Sequence, residues 1–185
     1  MRRVRPLASR AVVVAALAAV LAACAGSTTG AATPVIIPPG SIGPSRTVGP
    51  AVLLTRTTLA QALQAQGLQL QDTQDPFRPP EIAMFATAPR AIYQVVLPQD
   101  PGAGYIAVYE FLDPPTATQA ANEMAAYLGS GPGRVNYPLA VKHVLRVVGP
   151  SVVLFSWNPD GVVDPGTPKI ADALGTVGIG VDVPR

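Results

Sequence analysis

Cysteine and histidine are almost missing from this chain. There is one of each, Cys24 and His143, in 185 residues. A single cysteine closes no intramolecular disulfide, so a disulfide-stapled scaffold is excluded. A zinc site would need His143 plus carboxylates, and no ligand spacing of that kind is present. Neither a metal nor a cofactor is therefore expected. Charge is also sparse, at 13% of residues, and only Lys142 and Lys169 of the 13 basic residues are lysines. Aromatic residues make up 5%, with Trp157 the single tryptophan. No apolar run reaches the roughly 20 residues that a membrane-spanning helix needs. The run at 11–23 has 13 residues and ends at the cysteine.

What is present begins at the N-terminus. Arg2, Arg3, Arg5 and Arg10 form a positive segment without an acid, and the apolar run follows directly. That order is the signature of an export signal. It closes on Leu21-Ala22-Ala23-Cys24, which resembles the lipobox of bacterial lipoproteins. The resemblance implies that a diacylglyceryl group joins the Cys24 thiol and that the chain is cut between Ala23 and Cys24. The new amine then becomes available for acylation. Two acyl chains give stable anchoring where one gives only reversible binding. An ordinary cleaved signal and an uncleaved anchor are the alternatives. The expected address is outside the cytoplasm, on the cell membrane or the outer membrane, with membrane lipid as the partner of acylated Cys24.

Cleavage changes the charge balance. Removing the four signal arginines from 13 basic residues leaves nine against 11 acidic ones. The basic character of the precursor disappears, and with it any electrostatic footprint for nucleic acid. Residues 24–56 read as a lipidated cysteine followed by a Pro/Gly-rich tether with no acidic residue. Such a segment buries too little to offset its ordering entropy. Residues 57–185 read as one domain, large enough for an apolar core and expected to be monomeric. Val52 to Leu54 packing as an edge strand is an open alternative.

Three helices are expected. Thr58 to Gln61 and Thr116 to Gln119 fit capping boxes, and Thr167-Pro168 places an N-cap before a proline. Gly67, Gly129 and Gly175 supply the stops. Alternating segments read as strands at 68–71, 82–86, 91–97, 105–112, 139–148 and 152–157. The expected fold class is α+β, a two-layer domain with a mainly antiparallel sheet and helices on one face. The expected order is α-β-β-β-β-α-β-β-α. This arrangement of a Leu-x-x-Ala-Leu helix, the strand with Tyr105 and Phe111, the His143 strand and a closing Leu-Gly helix resembles a group of small envelope lipoproteins. The resemblance covers most of residues 57–177. It implies the fold and carries no activity.

Residue chemistry offers no catalytic set. His143 is more readily a half-buried side chain satisfied by a neighbour than a ligand or base. No Gly-x-Ser-x-Gly elbow is present, because Gly129-Ser130-Gly131-Pro132-Gly133 has proline in the fourth place. That stretch follows a helix C-terminus, which repels anions, so it reads as a flexible connection and not a phosphate cradle. Asp160, Asp164 and Asp172 read as solvated turn residues. Trp157, at a strand end, is a candidate ligand anchor. The alternation of the 139–148 strand sends Lys142, Val144 and Arg146 to the side opposite Val141 and Leu145. With Glu110 and Gln94 nearby, that side is the candidate partner surface. The leading expectation is a non-enzymatic binding or interaction module for an envelope protein or a small ligand. The alternative is a small envelope hydrolase using His143.

Overall fold

The computed structural model describes residues 48–73, 77–161 and 163–185. The expected signal peptide, Cys24 and the expected tether as far as residue 47 lie outside these residues. The first helix, α1 (Pro50–Ala65), begins eight residues before Thr58. Pro50 sits at the first helical turn, where its missing N–H is no loss. Val52, Thr55, Leu59 and Leu63 recur every three or four residues and are buried along one stripe. Thr58 does not cap the helix. Its hydroxyl donates to the Leu54 carbonyl one turn back. Residues 50–56, expected in the tether, therefore belong to the folded body, and Val52 to Leu54 is helix and not strand.

Six strands form one sheet: β1 (Leu70–Asp72), β2 (Arg90–Val95), β3 (Tyr105–Glu110), β4 (Lys142–Val148), β5 (Ser151–Trp157) and β6 (Ile179–Gly180). Their spatial order is β1-β2-β3-β5-β4-β6, and every pairing is antiparallel. The β4–β5 hairpin turns at Gly149, whose φ of 56° suits glycine and strains other residues. Four further helices are α2 (Ala83–Thr87), α3 (Pro114–Gly129), α4 (Gly131–Asn136) and α5 (Gly166–Gly175). The fold is α+β with an antiparallel sheet, as expected from the sequence. The observed order, α-β-α-β-β-α-α-β-β-α-β, departs from the expected one in three places.

Residues 82–86, expected as a strand, contain most of α2. A short apolar run does not distinguish strand from helix by periodicity. Here both Phe85 and Ala86 donate their N–H to the Ile82 carbonyl. The glycine-rich stretch forms α4, capped by the Ser130 side chain, which accepts from Gly133 N. A Cβ at Gly133 would collide with the Tyr127 carbonyl oxygen, so glycine lets α4 follow α3 at close range. The third departure is β6, a two-residue edge beside β4. Two caps also move. Asp113, not Thr116, caps α3, its carboxylate accepting from Thr116 N. The last helix opens at Gly166, so Thr167 is already inside it.

The layering corrects the expectation of helices on one face. Alternation along β3 points Ala107 and Tyr109 to one side and Ile106 and Val108 to the other. Both sides are core. Ala107, Tyr109, Leu145, Val147, Val152 and Leu154 pack with α3, whose Ala117, Ala120, Ala121 and Met124 are buried. Ile106, Val108, Val153 and Phe155 pack with α1 and α5 through Val52, Leu59, Leu63, Ile170 and Leu174. The domain is three layers with the sheet in the middle.

Candidate functional site

The register of the β4–β5 hairpin brings chemistry to one end of the sheet. Lys142 pairs with Trp157, and His143 pairs with Ser156. Directly paired residues share a face, so His143 Nδ1 and Ser156 Oγ meet in a hydrogen bond of 2.8 Å. The Tyr137 ring stands edge-on to the imidazole, with centroids 5.0 Å apart. Burial pushes the His143 imidazole down from its ordinary 6.5 to about 4, so it is neutral near pH 7.

Two clefts flank this pair. The first, of about 420 Å³, is lined by Phe77, Tyr105, Phe155, Ser156 and Trp157, with Asp100 and Asn158 among its polar groups. Its aromatic walls are stacked. Phe77 and Tyr105 lie 4.4 Å apart at 8°, and Phe155 and Trp157 lie 5.3 Å apart at 18°. The second, of about 710 Å³, lies between the approach to β4 and the C-terminal residues. Leu128, Tyr137, Val141, Val181 and Trp157 give it apolar surface, and Arg134, Lys142, His143 and Arg185 give it nitrogen donors. Trp157 therefore lines both clefts, in keeping with its expected place at a strand end.

The expected partner surface is not assembled. Lys142 is exposed, but Arg146 donates to the carbonyl oxygens of Val177 (2.6 Å) and Gly178 (2.9 Å). The Glu110 carboxylate accepts the N–H of Gly49, the N-cap of α1. Gln94 donates to the carbonyls of Pro101 and Ala103 and closes the β2–β3 loop. Lys142, Arg146 and Glu110 lie on the side of the sheet that α1 and α5 cover, whereas Gln94, paired with Tyr105, lies on the α3 side, so the four share no face and three of them serve as internal ties. Among the acids of the C-terminal turns, Asp164 is buried and not solvated. It accepts from the N–H groups of Gly166 and Gln99.

Sequence reasoning missed one polar cluster. Glu81 is fully buried, and its carboxylate accepts from Arg78 (2.6 Å), Arg90 (3.0 Å) and Tyr109 (2.7 Å). Glu81 lies in an irregular stretch without periodicity, so no pattern pointed inward. Burial, with the Glu81 charge adding to it, pushes the Tyr109 phenol well above its usual range. This network is satisfied and reaches solvent only through the partly exposed Arg90, which suits a structural role. Among the described residues no group of three or more His, Cys, Asp or Glu could hold a metal ion. None of their helices is long and apolar enough to cross a membrane. No protein-family model, curated protein or solved structure matches the chain.

Proposed function

We propose that this chain is a membrane-anchored envelope lipoprotein that acts as a binding module, held by lipid on Cys24 and taking a small ligand at the sheet end around Trp157. One observation carries the binding assignment. Two clefts converge on a single aromatic side chain, and apolar walls with a few polar groups are the usual make-up of small-molecule sites. The Leu21 to Cys24 motif supports the anchor. Cys24→Ala should abolish metabolic fatty-acid labelling and release the protein from membranes or leave it unprocessed. A variant that still labels and still sediments with membranes refutes the anchor. Full-length protein extracted from envelopes should retain a small molecule visible by native mass spectrometry, and Trp157→Ala should lose it. Retention unchanged by that substitution refutes the site.

The His143–Ser156 hydrogen bond favours a second reading, a small hydrolase with Ser156 as nucleophile and His143 as base. A serine needs such a neighbour to be activated. Two features weigh against it. The imidazole has a depressed basicity, and among the described residues no carboxylate orients its other nitrogen. A fluorophosphonate probe that labels the wild type and not Ser156→Ala would establish the hydrolase over the binding module.

A further inference from the structure

Eight basic residues fall within the described segments, and four of them are fully engaged. Arg56 pairs with Asp72, Arg78 and Arg90 pair with Glu81, and Arg146 holds two carbonyl oxygens. The other four, Arg134, Lys142, Lys169 and Arg185, have no side-chain acceptor among the described residues. Three of these, all but Lys169, line the larger cleft, where Asp182 is the sole acidic side chain. The surrounding body is otherwise richer in acids than in bases, so this concentration of free cations is local. Leu128, Val141 and Val181 add hydrocarbon to the same lining. Leu139, 76% exposed, leaves further apolar surface at the mouth.

We propose that this cleft binds a single-chain anionic amphiphile, an acyl chain ending in a carboxylate or phosphate, with the head group against Arg134 and Lys142 and the chain along Leu128, Val141 and Val181. The assignment rests on the binding-module reading and names its ligand class. An inorganic anion would leave the apolar walls wet, and a neutral lipid would leave the cations unused. The volume of about 710 Å³ lies within the roughly 300–1,000 Å³ of small-molecule sites. The imidazole of His143, neutral at pH 7, adds no repulsion to the apolar part of the wall.

The test uses the full chain in its membrane. A diazirine-bearing long-chain fatty acid is photolysed on envelopes, and the crosslinks are mapped by mass spectrometry. Crosslinks are expected within residues 128–143 and 181–183. The corresponding fatty alcohol should label at least about tenfold less, the loss of one charge-assisted contact. Arg134→Glu with Lys142→Glu should reduce labelling by at least the same factor. Arg134→Gln with Lys142→Gln, which removes charge without reversing it, should do so with an unchanged melting temperature. Equal labelling by acid and alcohol, or indifference to both double variants, would overturn the anionic assignment. Preferred labelling by a two-chain phospholipid analogue would overturn the single-chain one. Crosslinks confined to residues outside the cleft would overturn the site. A ligand still retained through Trp157 in that last case would leave the binding-module reading standing.

Discussion

Glu81 carries a charge with no solvent exposure and three donors on its two oxygens. Removing one member of a buried charged set leaves the others desolvated and unpaired, which costs about 3–5 kcal/mol. Glu81→Ala takes the counter-charge from Arg78, itself 7% exposed, which keeps its bond to the Ala86 carbonyl, and should lower unfolding free energy by about 3 kcal/mol in a urea titration. Glu81→Gln keeps the shape and should cost less. Ser151 presents the opposite case. Its hydroxyl is buried and has no hydrogen-bond partner among the described residues. An unsatisfied buried polar group costs about 1–3 kcal/mol, so Ser151→Ala should stabilise the fold by about 1 kcal/mol. An unchanged or lower urea midpoint would show that the hydroxyl finds an acceptor. His143 gives the chain a pH dependence. Its folded value, about 4, lies below its ordinary 6.5, so the unfolded chain binds a proton that the folded chain refuses. Its contribution is fully present above pH 6.5 and is lost as pH falls through 6.5 towards 4. His143→Asn should flatten that part of the stability profile relative to wild type. Parallel slopes for the two proteins would place the imidazole in a more solvated setting.

At the scale of elements, α1 shows how a helix start escapes sequence reading. Its N-cap is Gly49, which has no side chain to offer. The capping oxygen comes from Glu110, 61 residues away, and a carboxylate at a helix N-terminus also meets the positive end of the dipole. Glu110→Ala should destabilise by about 1 kcal/mol, the usual loss of a cap. Amide exchange should rise first in residues 50–54. A rise spread evenly over the domain would argue against a capping role. Other elements were legible because their determinants are local. Tyr105, Ala107 and Tyr109 alternate with Ile106 and Val108, and the pattern gave β3 directly. The hairpin of β4 and β5 was marked by Gly149-Pro150 between two apolar runs. The helix α3 was legible in its Ala-rich stripe, although its cap lay three residues earlier, where Asp113 precedes two prolines. The misread elements, α2, α4 and β6, span six residues or fewer and are held by long-range packing. Phe85 against Tyr109 and Phe111 fixes α2, and pairing with β4 fixes β6. The candidate site was legible only in part. His143 and Trp157 stood out as single residues, while Ser156 and Arg134 became relevant through register and through the path of α4.

At the scale of the whole molecule, a sheet covered on both faces explains why polar residues in apolar strands did not mark a solvated side. Lys142, at the strand's start, reaches solvent, whereas Arg146 and Glu110 reach backbone groups at the margins of α5 and α1. The same layering makes the N-terminal limit of the domain a sharp physical question. If the sheet needed only one covered face, a chain beginning at Thr57 would fold as well as one beginning at Val48. The structure places Val52 at 0% exposure and Thr55 at 2%, in the same layer as Leu59, Leu63 and α5. Deleting residues 48–56 removes Val52 from the core, and full burial of such a side chain contributes about 1.5–3 kcal/mol. The deletion also strips two turns from a 16-residue helix and leaves Glu110 without its Gly49 donor. A small domain has only about 5–15 kcal/mol of stability in all, so these losses are a large share of it. The chain beginning at Val48 should unfold in one cooperative transition. The chain beginning at Thr57 should melt at a clearly lower temperature and expose the face of β3 and β5 that holds Val108 and Val153, seen as increased dye binding. Equal melting temperatures would show that α5 alone covers that face and that the first turns of α1 are dispensable to the fold.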